Sequence, residues 1–120
     1  MTAKRILIVD DEPDLSELLA YNLERAGYTT RVEHNGVKGL ETLRSFRPDL
    51  LILDIMMPEL NGIEVAERMR RDQSLSRIPI IMLTARSGEN DELNGLAAGA
   101  DDYVTKPFSM KVLEARIETV

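Results

Sequence analysis

Asp10 and Asp11 close the apolar run Ile6-Leu7-Ile8-Val9, and Asp54 closes a second run, Leu50-Leu51-Ile52-Leu53. Two further runs end in polar groups of another kind: Ile80-Ile81-Met82-Leu83 in Thr84, and Tyr103-Val104-Thr105 in Lys106. If these runs are parallel strands joined by helical crossovers, their ends share one edge of a sheet, where open α/β sheets build their sites. Three acids, a hydroxyl and an amine would then meet in one pocket. Two carboxylates about 5 Å apart repel by roughly 3 kcal/mol at an effective dielectric near 20, so such a cluster needs protons or a cation. Hard oxygen donors with open positions suit Mg²⁺. With Lys106, a divalent ion would balance the three acids and leave a neutral pocket suited to an array of phosphoryl oxygens.

Taken singly, each residue has a plainer role. Asp10-Asp11 before Glu12-Pro13 reads as a turn and helix cap, and Pro13 suits a first helical position. A strand-ending Thr84 usually bonds the backbone, and Lys106 before Pro107 resembles a surface-loop lysine. Their convergence on one edge is what favours a site. The single histidine, His34, follows the second strand and reads as a surface or loop residue away from the expected crevice.

The elements that must position these groups alternate along the chain. A strand at about 5–9 precedes a helix at about 13–26, whose Leu15, Leu18, Leu19, Leu23 and Ala26 follow a 3.6-residue period. Gly27 stands where a left-handed helix stop belongs. Residues 29–33 form a second strand, an edge by its Arg31 and Glu33, and 36–46 a helix stopped before Pro48. A third strand at 50–53 leads through Met56-Met57-Pro58-Glu59-Leu60-Asn61-Gly62 into a helix ending near Arg71. The fourth strand begins after Pro79, a helix spans about 88–98 and ends at Gly99, the fifth strand is 102–105, and a last helix starts at Met110. Five βα units predict an α/β fold, a single doubly wound parallel sheet covered on both faces. The near-continuous apolar strands 1, 3 and 4 are its buried centre.

The bulk numbers agree. The 120 residues fit one domain, 1–120, and a last helix that runs to the final residue is what a domain cut from a longer protein would show. No apolar stretch approaches the roughly 20 residues that span a bilayer. The chain has no cysteine, hence no disulfide framework or thiolate metal site, which fits a cytoplasmic location. A net charge of −6, with no basic run beyond Arg70-Arg71, offers no patch for nucleic acid.

Ile8-Val9-Asp10-Asp11-Glu12, Asp54 with Met57-Pro58-Glu59-Leu60-Asn61-Gly62, Leu83-Thr84-Ala85 and Gly99-Ala100-Asp101-Asp102-Tyr103-Val104-Thr105-Lys106-Pro107-Phe108 run the length of the chain in order. By these the chain resembles the receiver domain of bacterial two-component response regulators. Its Ala-Asp-Asp-Tyr and Leu-Thr-Ala-Arg stretches look most like the OmpR/PhoB branch, whose members are usually DNA-binding transcription factors. The resemblance implies a flavodoxin-like strand order 2-1-3-4-5. It also implies that the domain is a switch, not an enzyme acting on other substrates, and catalyses only its own phosphorylation and dephosphorylation. Asp54 would take a phosphoryl group from a phosphohistidine on a sensor histidine kinase. Asp11, Asp54 and the Met56 carbonyl would ligate Mg²⁺, and Asp10 would reach it through water. Thr84 and Lys106 would contact the phosphoryl group. Tyr103 would move in concert with Thr84, and Pro107 would be cis. The switch would repack the face made by the 88–98 helix, the fifth strand and the last helix, through which a homodimer forms in that branch. DNA would be reached only through a separate output domain.

Asp101, Asp102 and Arg116 match the charged network of that dimer face, but Glu92, Ala97, Val112 and Glu118 depart from it. The expected two-fold pairing is weakened accordingly. Met56 and Arg86, two positions past Asp54 and Thr84, would overhang the pocket and hinder an attacking water, which predicts slow self-dephosphorylation. Three other readings fit less well. An aspartyl-nucleophile phosphohydrolase needs a general acid where Met56 stands. A flavin binder needs a Ser/Thr/Gly-rich loop where Asp10-Asp11-Glu12 would repel phosphate. An interaction module without phosphotransfer would not need the intact acids, Thr84 and Lys106.

Overall fold

The computed structural model describes residues 4–84, 94 and 97–120. Five strands, β1 (Arg5–Val9), β2 (Thr29–Glu33), β3 (Leu50–Asp54), β4 (Ile80–Thr84) and β5 (Asp102–Thr105), pair in parallel in the order β2-β1-β3-β4-β5. Four helices are described: α1 (Pro13–Arg25), α2 (Gly36–Phe46), α3 (Gly62–Arg71) and α4 (Met110–Thr119). The helix expected at about 88–98 falls largely outside the described residues, as do Arg86 and Glu92. Within it, the Ala98 N–H donates to the Asn94 carbonyl at 2.9 Å. Among the described residues, no helix is long and apolar enough to cross a membrane.

Strand alternation divides the core into two layers. Leu7, Val9, Leu51, Leu53, Ile80 and Met82 face one side and meet Leu40 and Leu43 of α2 and Val65, Ala66 and Met69 of α3. Ile6, Ile8, Leu50, Ile52, Ile81, Leu83 and Val104 face the other and meet Leu19 and Leu23 of α1 and Leu113 of α4. Every residue of β3 and β4 is buried, and each large aliphatic side chain so placed contributes about 1.5–3 kcal/mol. β2 is the half-exposed edge that its charges predict.

Caps fix where the helices start. The Asn35 side chain accepts from the Lys38 N–H at 2.8 Å. Asn61 and Glu64 form a reciprocal capping box at the start of α3. Ser109 Oγ accepts from the Val112 N–H at 3.1 Å. α2 ends before Pro48 as expected, but its stop is Arg47, held in the left-handed region at φ 51°.

Candidate phosphoryl and cation site

The carboxyl ends of β1, β3, β4 and β5 bring the sequence-predicted residues together. Asp10 follows β1 and is fully buried, Asp54 ends β3, and Thr84 ends β4. The Lys106 N–H donates to the Thr84 carbonyl at 2.7 Å, so the residue after β5 stands beside the end of β4. Lys106 Nζ lies 3.4 Å from Asp10 Oδ2 and 3.4 Å from Asp54 Oδ2. Oxygens of Asp10, Asp11, Glu12 and Asp54 all fall within 4.8 Å of one another. The Lys106–Pro107 peptide bond is cis, as the resemblance implies.

Asp54 is held at both oxygens. Oδ1 accepts from the Met56 N–H at 3.2 Å, and Oδ2 faces Lys106. Asp10 Oδ1 accepts from the Glu12 N–H at 2.8 Å and so shapes the turn into α1. Among the described residues, Asp10 Oδ2 has no hydrogen bond: Lys106 is near enough to attract it but is not aligned to donate. Thr84 Oγ1 is likewise buried without a partner among the described residues. Such orphans are rare in folded proteins, and each leaves a desolvation penalty of about 1–3 kcal/mol. An all-oxygen donor set with a buried carboxylate oxygen unsatisfied fits a hard divalent cation.

Electrostatics reports the same strain. Burial pushes the Asp10 carboxyl above its ordinary value, against the Glu12 N–H and Lys106. Burial, reinforced by the Asp10 charge, pushes Asp54 up to about 6, against the pull of Lys106 and the Met56 N–H. Burial alone would lower Lys106, but Asp54, Glu12 and Asp10 together raise it, so the ammonium persists. At pH 7 Asp54 is therefore mostly ionised.

The loop after β3 approaches Asp54 closely at Gly62. A Cβ there would lie 2.3 Å from the Asp54 carbonyl oxygen and 2.9 Å from the Ile55 Cα, both backbone atoms that cannot yield without moving the acceptor. Gly62→Ala is expected to destabilise the domain by about 1–3 kcal/mol, through overpacking that exceeds any gain in helix propensity. Urea unfolding of the two proteins measures it.

Other predicted residues have additional or different engagements. Met56 holds Asp54 through its N–H while the residue is 63% exposed beside the pocket. Tyr103 pairs in register with Met82 and packs, half-buried, against the α2/α3 layer. Asp101 Oδ2 is used within the chain, accepting from the Ile80 N–H at 2.8 Å and from Arg70 at 3.1 Å. Arg116 reaches Asp102 of its own chain at 3.6 Å.

Two placements differ from the sequence reading. His34 is exposed, as expected, but is not remote: its Nδ1 lies 3.1 Å from the Asp10 carbonyl and must donate to it. Pairing of Val9 with Glu33 sets the following residues of β1 and β2 side by side. Glu12, to which the sequence reading gives no part in the site, belongs to the acidic group. It is the α1 N-cap by backbone position, yet its side chain makes no capping bond, and Oε1 lies 3.1 Å from Lys106 Nζ. The run of three consecutive acids was the available signal.

Comparison with known proteins agrees with this geometry. The family model described as the response regulator receiver domain matches residues 6–118. The phosphate regulon transcriptional regulatory protein PhoB of Pseudomonas aeruginosa is 47% identical over 120 residues, covering 100% of this chain and 52% of its own length. The alkaline phosphatase synthesis transcriptional regulatory protein PhoP of Bacillus subtilis is 45% identical over 117 residues, covering 98% of this chain and 48% of its own. The chain thus spans about half the length of these curated relatives. The receiver domain of the sensor histidine kinase PA1611 from Pseudomonas aeruginosa, solved with a magnesium ion coordinated in its active site cleft, superposes with a TM-score of 0.90 at 29% identity. That match covers 98% of this chain and 97% of the other.

Proposed function

This chain belongs to the response regulator receiver domains of two-component systems, in the company of OmpR/PhoB-type regulators, and on that footing we propose that Asp54 is its phosphoacceptor. The observation that carries the reading is Lys106 Nζ at 3.4 Å from both Asp10 and Asp54, inside one tight group of acids. An Asp54 oxygen forms a bond to phosphorus while the bond from phosphorus to the kinase histidine nitrogen breaks, and the imidazole leaves with that electron pair. No general base is needed, because the carboxylate is already mostly ionised. Phosphoryl transfer passes through a loose transition state with charge spread over peripheral oxygens, so positioning and cations carry the catalysis.

Asp10, Asp11, Asp54 and the Met56 carbonyl are the groups that would hold Mg²⁺, with Asp10 reaching it through water. When bound, the ion supplies the charge that offsets the acids and the incoming phosphoryl oxygens. Lys106 is placed to meet one of those oxygens, and the buried Thr84 hydroxyl to donate to another. Phosphorylation adds charge and three strong acceptors. Thr84 Oγ1, without a partner among the described residues, gains one in the modified form, the kind of differential contact that shifts a two-state equilibrium. Withdrawal of Thr84 lets the Tyr103 ring move inward and changes the β5–α4 face. In a longer regulator that change would control a separate output domain, transcriptional as in the relatives. A homodimer using the charged network of this face would have to compete with the pairs that Asp101 and Arg70, and Asp102 and Arg116, make within the chain, while the exposed Val112 could supply apolar contact instead.

Incubation with acetyl phosphate and Mg²⁺ followed by intact mass measurement tests the reading. One added phosphoryl group per chain is expected, and no addition would refute it. The bulk of Met56 beside Asp54 predicts a long-lived product, with a half-life of many minutes or more once donor is removed. A half-life of seconds would contradict that role.

A further inference from the structure

Lys106 has three carboxylate neighbours, and its shortest contact is to the one on the surface. Nζ stands 3.1 Å from Glu12 Oε1 against 3.4 Å from the buried Asp10 and Asp54 oxygens. The Glu12 side chain is 61% exposed and free of capping duty, so nothing in α1 requires it to lie over the pocket. Yet one of its oxygens sits within 4.8 Å of an oxygen on each of Asp10, Asp11 and Asp54. Glu12 and Lys106 also line an apolar groove with Leu15, Leu18, Phe108 and Met110, beside the site.

Three acids, a divalent ion and Lys106 sum to neutrality. The fourth carboxylate takes that total to minus one, and it occupies the ammonium that a phosphoryl oxygen must win. We propose that Glu12 is a positioning residue that holds Lys106 in the unphosphorylated domain and competes with the phosphoryl group for it, slowing uptake while strengthening cation binding. The inference rests on the phosphoacceptor reading above.

The charge and contact predict effects in opposite directions. In Glu12→Gln, Mg²⁺ alone should bind about three- to tenfold more weakly by calorimetry, because the pocket has lost a negative charge. At saturating Mg²⁺, uptake from acetyl phosphate should rise about three- to tenfold, and trifluoroberyllate, a phosphoryl analogue, should bind more tightly by a similar factor. Loss of a merely structural residue would weaken all three. Glu17→Gln removes the same charge from an exposed position on the same helix and should stay within about twofold of the unmodified chain. Faster uptake with weaker Mg²⁺ binding in Glu12→Gln alone supports the proposal. Unchanged or slower uptake in Glu12→Gln, or equal effects in both variants, would overturn it while leaving Asp54 as acceptor. Absence of uptake in the unmodified chain would overturn the acceptor reading and this inference with it.

Discussion

Asp54→Asn is expected to abolish phosphoryl uptake and, in the absence of divalent cations, to make the domain more stable at pH 7 by about 1–3 kcal/mol. The second effect follows from burial. The folded domain raises the Asp54 carboxyl from 3.8 to about 6. With rising pH the unfolded chain therefore releases this proton first. The folded state has its full advantage from this group below about pH 4 and loses it as pH climbs through about 6. Above pH 7 the folded domain carries an ionised carboxylate that it has desolvated. Asparagine keeps the shape and the acceptor for the Met56 N–H while removing that charge. Urea unfolding at pH 3.5 and pH 7.5 should show the two proteins nearly equal at the lower pH and the variant ahead at the higher. Saturating Mg²⁺ should narrow the gap by stabilising the unmodified domain more. A variant less stable than the parent at pH 7.5 without Mg²⁺ would contradict the account of the pocket.

Lys106→Met should act in the reverse sense on stability and in the same sense on chemistry. Its ammonium is the shared partner of Asp10, Glu12 and Asp54. Removing it takes from two buried carboxylates the cation that the described residues place beside them, and breaking a buried pair from one side typically costs about 3–5 kcal/mol. Lys106 is itself partly exposed, so about 2–4 kcal/mol is expected at pH 7. Asp54, without its main counter-charge, would hold its proton to higher pH and be a poorer nucleophile at neutrality. Loss of a donor aimed at developing phosphoryl charge adds to this, and uptake should fall by about 100-fold or more. In the Asp54→Asn background the same lysine change should cost clearly less stability, because one of its buried partners is no longer charged. A double-mutant cycle measures that difference. Additive effects would show that Lys106 and Asp54 do not interact as their separation implies.

The sheet and the meeting of its functional groups were legible in the chain, and for a physical reason. Strands buried on both sides must be continuously apolar, and the polar residue that ends each run must emerge at the sheet edge, so Asp10, Asp54, Thr84 and Lys106 mark the crevice by position alone. Where long side chains go was less legible. Glu12 stands next to the acids in sequence, but only the three-dimensional placement of Lys106, 3.1 Å from its carboxylate, ties it to the site. His34 follows an edge strand and reads as distant, until the β1–β2 register sets it against the Asp10 carbonyl. Asp101 resembles a surface charge, but the turn after Gly99, at φ 112°, carries it back to the start of β4. Arg70 looked like one of a basic pair near a helix end. Instead it donates to the carbonyls of Gly99, Ser76 and Ile78, tying α3 to the approaches of β4 and β5. These are contacts between segments far apart in sequence, and local periodicity carries no record of them.

The most direct measurement is chemical trapping of the modified residue. Borohydride reduces an acyl phosphate on an aspartate to the alcohol, leaving homoserine, which peptide mass mapping locates. After phosphorylation with acetyl phosphate and Mg²⁺, the account predicts homoserine at position 54 and at no other acid of the pocket. Homoserine at position 10 or 11, or a phosphoryl group found on His34 with Asp54 unmodified, would contradict it.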